Sequence, residues 1–270
     1  MAELLQYTFF QHALAATVLV GIVCGLVGTY IVARRMVFIS GGITHASFGG
    51  LGLAWYLGFP PIAGAALFSV LSALGIHCLS RRQRVREDSL IGIFWSAGMA
   101  IGILFIYLTP GYAPDLISYL FGNVLTVTRP QIWLIFGFCC VTLLFFVLFY
   151  RPLFYTAFDR EYARTHTFPG YVPEIGVTLL IALTIVLSLK LAGIILILSY
   201  LTIPQAIASL FSKDFKRQLW ISPVVCVFVS VTGLFLSALL NIPSGAVIVV
   251  CLLLVFAALW LLRLLKPSAR

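Results

Sequence analysis

Apolar residues run along this chain in long stretches, with polar residues confined to short interruptions. Stretches near 10–33, 37–57, 61–79, 89–109, 130–150, 172–189, 191–210, 220–240 and 244–264 recur from end to end. Each is close to the roughly 20 residues of helix that cross a hydrocarbon core about 30 Å thick. The pattern predicts an all-α, polytopic integral membrane protein with nine membrane helices. Eight is the alternative count, because only "LKLAG" (189–193) separates the sixth stretch from the seventh. The longest polar stretch runs only from Arg151 to Gly170, so residues 1–270 read as a single transmembrane domain.

Composition agrees with the pattern. Hydrophobic residues make up 62% of the chain and charged residues 9%, against roughly a quarter charged in soluble domains. Charge adds an orientation. The segments after the first, third, fifth, seventh and ninth stretches hold 15 of the 17 Lys and Arg, leaving Arg129 and Lys190 on the other side. Basic loops stay in the cytoplasm, which predicts an external N-terminus and a cytoplasmic C-terminus. The net charge of +9 is then a matter of topology, and no nucleic-acid partner is needed. Anionic membrane lipid or an acidic protein face are the partners those loops suit. The N-terminal "MAELLQYTFF" lacks the basic region of a removable signal peptide, so the first helix is expected to stay as a span. All six cysteines fall in or at the edge of apolar stretches and form no CxxC, which favours packing over disulfides or zinc.

Few residues could carry chemistry. In "SGGITHASFGGLG" (40–52), helical spacing puts Gly41, His45, Gly49 and Gly52 on one stripe. Small residues there let another helix approach closely, and they equally leave room before the imidazole. An ionisable group inside a membrane usually faces a cavity or a partner, and neutral histidine is a common metal ligand. The alternative is a packing histidine bonded to a carbonyl of the next helix. The embedded Tyr30, Thr44, Ser47, Ser96, Thr184, Ser188, Ser199, Thr202, Gln205 and Asn241 are mostly expected to bond back to their own helices. "TIPQA" (202–206) stands apart because Pro204 frees a carbonyl near Gln205, and a broken helix is one way to build a substrate path. No HExxH, aspartate pair or GxSxG lies within the stretches, so no enzyme is expected. No P-loop is present either, so energy must come from a gradient or a separate subunit.

Two connecting segments are unusual. Residues 109–131 carry Leu116, Tyr119, Leu120 and Val124 at helical spacing, which predicts a short interfacial or re-entrant helix. Residues 153–170, "LFYTAFDREYARTHTFPG", read as a short amphipathic helix on the cytoplasmic surface, serving as a membrane anchor or a docking element.

Five stretches together resemble the membrane subunit of ATP-binding-cassette importers for zinc, manganese and iron. They are "RRMVFISGGITHASFGG" (34–50), "EDSLIGIFWSAGMAIGILFI" (87–106), "YLFGNVL" (119–125), "FDREYAR" (158–164) and "LAGIILILSYLTIPQAIA" (191–208). The resemblance implies an ABC importer permease fold in a bacterial plasma (inner) membrane, and a homodimer driven by a cytosolic ABC ATPase. It also implies an extracytoplasmic metal-binding protein that delivers the ion, and no resident cofactor. It makes Phe158, Asp159, Glu161 and Ala163 candidates for coupling to the ATPase, and His45 a transient ligand for the passing ion. The family often has an aspartate four residues before that histidine and a proline four after it, where this chain has Gly41 and Gly49. An imidazole without a carboxylate suits zinc or iron better than manganese. Asp115, at the outer mouth, reads as a cation attractor or as an ordinary loop charge. A gradient-driven carrier or channel for a small cation is the alternative function, and a membrane scaffold a third.

Overall fold

The computed structural model describes residues 6–81, 85–110, 122, 124–159, 162 and 172–265. In chain order the helices are α1 (Thr8–Ala33), α2 (Val37–Leu57), α3 (Pro61–Arg81), α4 (Glu87–Leu108), α5 (Arg129–Leu148) and α6 (Tyr150–Phe158). They continue as α7 (Val172–Tyr200), α8 (Ile203–Phe211), α9 (Phe215–Leu240) and α10 (Ser244–Leu265), with a 3-10 turn at Val124–Thr126. Among the described residues nine segments are long and apolar enough to cross a membrane. Their limits fall within a few residues of the predicted stretches, because apolar content decides where a helix can sit in lipid.

The predicted loop between the sixth and seventh spans is not there. Val172–Leu189 and Leu191–Phe211 each suffice to cross, and the backbone between them leaves helical geometry at Gly193, with φ 71 and ψ 169. Only glycine adopts that conformation at low cost. The backbone of Gly122, itself at φ 65, packs directly on this turn: a side chain there would run into the Gly193 nitrogen and the Leu191 carbonyl. Two of the stretches that carried the family resemblance therefore meet at one glycine pair.

The two unusual segments are described only in part. Of the helix expected within 109–131, Leu116, Tyr119 and Leu120 lie outside the described residues, while Val124 is buried beside Phe10, Ala13 and Leu234. Of the helix expected over 153–170, the described part begins earlier, at Tyr150, and Tyr162 is again helical. α6 follows α5 after Phe149 alone and ends at Phe158, where Asp159 takes an extended conformation. Glu161 and Ala163 lie outside the described residues.

α1 and α2 are the most enclosed spans, whereas α4, α5 and α10 show most of their surface. The helix that carries His45 is thus central, and it is wrapped chiefly by α3 and α4.

Candidate ion path and coupling surface

The α2 stripe is consumed by helix packing. A side chain on Gly50 would meet the Gly64 carbonyl of α3, and one on Gly49 or Gly52 would meet the backbone of Gly98 or Gly102 on α4. Three helices thus approach through backbone contacts, which is how small residues drive association in lipid. The room expected before the imidazole is filled. Trp95 of α4 lies against Gly41, with Cζ3 3.2 Å from the position a β-carbon would take, and Leu198 of α7 comes within 3.9 Å of the same position.

His45 itself is half-buried. Its ring stacks on the Trp95 indole, centroids 4.2 Å apart and planes 11° from parallel. The hydrogen bond to a neighbouring carbonyl that a packing histidine would make is absent: among the described residues the ring has no hydrogen-bond partner, and Nδ1 is buried. The indole therefore sets the ring plane and leaves the nitrogen lone pair uncommitted. No three His, Cys, Asp or Glu side chains gather among the described residues. The described residues thus offer no three-ligand metal cluster at this place.

Several of the embedded hydroxyls singled out in the sequence are spoken for. Thr44 donates to the Ser40 carbonyl at 2.6 Å, Ser96 to Gly92 at 2.7 Å, Thr184 to Leu180 at 2.6 Å and Thr202 to Leu198 at 2.7 Å. These are the back-bonds expected of such residues in membrane helices. Asn241 differs, ending α9 in the left-handed conformation at φ 54.

Pro204 and Gln205 make the break between α7 and α8. Proline has no N–H to give the Tyr200 carbonyl four residues back, and the Gln205 side chain takes over, donating Nε2 to that carbonyl at 3.1 Å. The same nitrogen reaches the Cys24 carbonyl of α1 at 3.1 Å and that of Gly25 at 3.4 Å. Gln205 is 2% exposed, and a side chain on Gly28 would collide with it. Its amide nitrogen ties the broken helix to α1, inside the bundle.

At the end of α6, Phe158 is 57% exposed while leaning on Phe154 and Phe215 at 5.0 and 5.8 Å between centroids. Phe215 is buried in the first turn of α9, so α6 rests on that helix through its aromatic rings. Asp159 is exposed, and its Oδ1 accepts the Tyr162 backbone N–H at 2.9 Å. Partial burial, with a further push from the Asp214 carboxylate, raises the Tyr150 phenol above its usual value and keeps it neutral. An exposed aromatic ring beside an exposed carboxylate on a braced helix can dock in a complementary cleft of another protein.

The sequence model of the ABC 3 transport family matches residues 6–263. The chain belongs to the ABC 3 transport family. Manganese transport system membrane protein MntC of Halalkalibacterium halodurans is 36% identical over 255 residues, covering 94% of this chain and 87% of its own length. An uncharacterized membrane protein, slr2045, of Synechocystis is 41% identical over 249 residues, 92% of this chain and 89% of that one. The solved complex of PsaBC from Streptococcus pneumoniae with a Fab superposes with a TM-score of 0.83 at 30% identity, covering 96% of this chain and 95% of the other. As an ABC 3 transport family member the chain is a multi-pass membrane permease.

Two features of this ABC 3 member lay in quoted stretches and were not singled out by sequence reasoning. Trp95 reads as one more lipid-facing aromatic until α4 is docked on α2. Arg34 reads as a topology signal, yet it is drawn inside the bundle. In the second case a signal existed: Tyr30 and Arg34 are four apart, one turn of the same helix.

Proposed function

We propose that this chain is the permease of an ATP-driven importer for a divalent transition-metal ion. Two copies form the path, a cytosolic ABC ATPase docks on the surface around Phe158 and Asp159, and an extracytoplasmic binding protein delivers the ion. The N-terminus faces outward and the C-terminus lies in the cytoplasm, which puts α6 on the ATPase side. No resident cofactor is required, since the metal is cargo.

One observation carries the assignment of the path. His45 is the histidine of α2, it makes no hydrogen bond among the described residues, and its ring is stacked on Trp95. A weakly held ligand suits transport, where the site must release what it binds. Leu198, 38% exposed beside Gly41, supplies apolar surface for the second copy to cover. The MntC relative is named for manganese, and the present site without a carboxylate also suits zinc or iron.

A gradient-driven carrier is less well supported. Such a transporter places carboxylates within its spans, and the described acidic residues, Glu87, Asp88, Asp159, Glu174 and Asp214, all sit in first turns or at helix ends. Purification of the chain in mild detergent with a co-expressed ABC ATPase tests the choice. The importer reading expects a stable complex whose ATP hydrolysis rises with metal-loaded binding protein. Metal uptake without any ATPase would overturn it.

A further inference from the structure

Where α1 ends, a charge is taken inside the protein. The Arg34 and Glu174 side chains are 7% and 10% exposed, with Nη2 3.5 Å from Oε1. Arg34 Nη1 donates to the Tyr30 phenol oxygen at 3.0 Å. That phenol lies 3.3 Å from Thr156 Oγ1 of α6, and Thr156 gives its own proton to the Leu153 carbonyl at 3.1 Å. A hydroxyl has one proton to give, so Tyr30 is the donor to Thr156. The bonds run in one direction, from Arg34 through Tyr30 and Thr156 into the α6 backbone, and such chains polarise and reinforce one another.

The cluster joins four elements. Tyr30 and Arg34 close α1, Thr156 belongs to α6, Glu174 lies in the first turn of α7, and Glu87 in the first turn of α4 is near enough to feel both charges. Beyond Arg34 the chain turns sharply into α2. Arg35 takes the left-handed conformation at φ 59, and Met36 N–H returns to the Ile31 carbonyl at 3.0 Å. The α2 helix starts at Val37, so His45 stands about 12 Å along it, at roughly 1.5 Å per residue. A short, bonded corner on a rigid helix moves as one piece.

Buried ion pairs are weak contributors to stability, and their best-attested use is to select between arrangements. This one also leaves Arg34 Nε buried with no acceptor among the described residues, a donor that a shifted neighbour could satisfy. We propose that the Arg34 cluster is the link through which displacement of α6 is passed to α2 and so to His45. Arg34 acts as a positioning residue in gating. The inference rests on the importer reading above.

The test uses the full importer in proteoliposomes, measuring metal ions taken up per ATP hydrolysed. Tyr30→Phe and Thr156→Val remove the bonded chain while keeping shape, and Arg34→Met removes the charge. The link predicts that all three assemble with the ATPase and keep basal hydrolysis, while uptake per ATP falls about tenfold, within the range of coupling between distant sites. Arg34→Lys, which keeps the charge near Glu174, should recover part of it. If Arg34→Met does not assemble, the two hydroxyl variants decide alone. Unchanged uptake per ATP in the assembled variants overturns the link. A wild-type complex with no ATP-driven uptake would instead overturn the importer reading itself.

Discussion

The imidazole of His45 lies flat against the indole of Trp95, 4.2 Å between centroids and 11° from parallel. Stacking of this kind orients a ring without consuming its nitrogens. A histidine fixed in this way inside a membrane keeps its ring nitrogens out of hydrogen bonds among the described residues.

Loss of the indole should therefore loosen the ring without unfolding the protein. Trp95→Ala is expected to lower uptake per assembled complex roughly 2- to 10-fold, the worth of an aromatic pair. Trp95→Phe should retain most of the activity. Metal uptake normalised to complex recovered from gel filtration checks both.

Metal choice should follow the residue four before the histidine. Trp95 occupies the space that an aspartate at position 41 would need. Gly41→Asp combined with Trp95→Ala should raise manganese uptake relative to zinc, since a carboxylate is the harder ligand. Gly41→Asp alone should shift the ratio less. Competition between the two ions in one assay reports the ratio directly.

The glycines differ sharply in what they tolerate. A side chain on Gly50 would press on the Gly64 carbonyl, whereas one on Gly92 meets nothing within 4 Å. Gly50→Ala is expected to cost about 1–3 kcal/mol, the usual penalty for overpacking, and Gly92→Ala to be neutral. Thermal unfolding midpoints in detergent separate the two.

Much of this was legible in the chain. The spans follow from apolar run length, and the back-bonded hydroxyls from their position within helices. His45 stood out because an imidazole among glycines has no apolar reason to be there. What sequence could not supply was partnership across helices. The stripe of glycines looked like a gap because periodicity tells which residues share a face, not which neighbour covers it. The break at Gly193 was hidden for a related reason: one glycine leaves helical geometry where a loop of several residues was expected. Gln205 was read with Pro204 as part of a path, and its amide nitrogen proves to donate to the carbonyl that the proline orphans.

That last arrangement predicts an energetic coupling. Gln205→Leu should destabilise by about 1–3 kcal/mol, because buried carbonyls lose their donor. Pro204→Ala restores a backbone N–H for Tyr200, so the double variant should lose less than the sum of the singles. A double-mutant cycle on unfolding midpoints measures the difference.

The central claim, that a metal ion passes His45, is tested most directly by His45→Ala in the complete importer. Uptake and assembly are read on the same preparation. The account predicts that the complex forms with normal yield and basal ATP hydrolysis while metal uptake falls by at least about tenfold, as for loss of a ligand on the path. Normal uptake per assembled complex, with any defect confined to assembly, would contradict it and make His45 a packing residue.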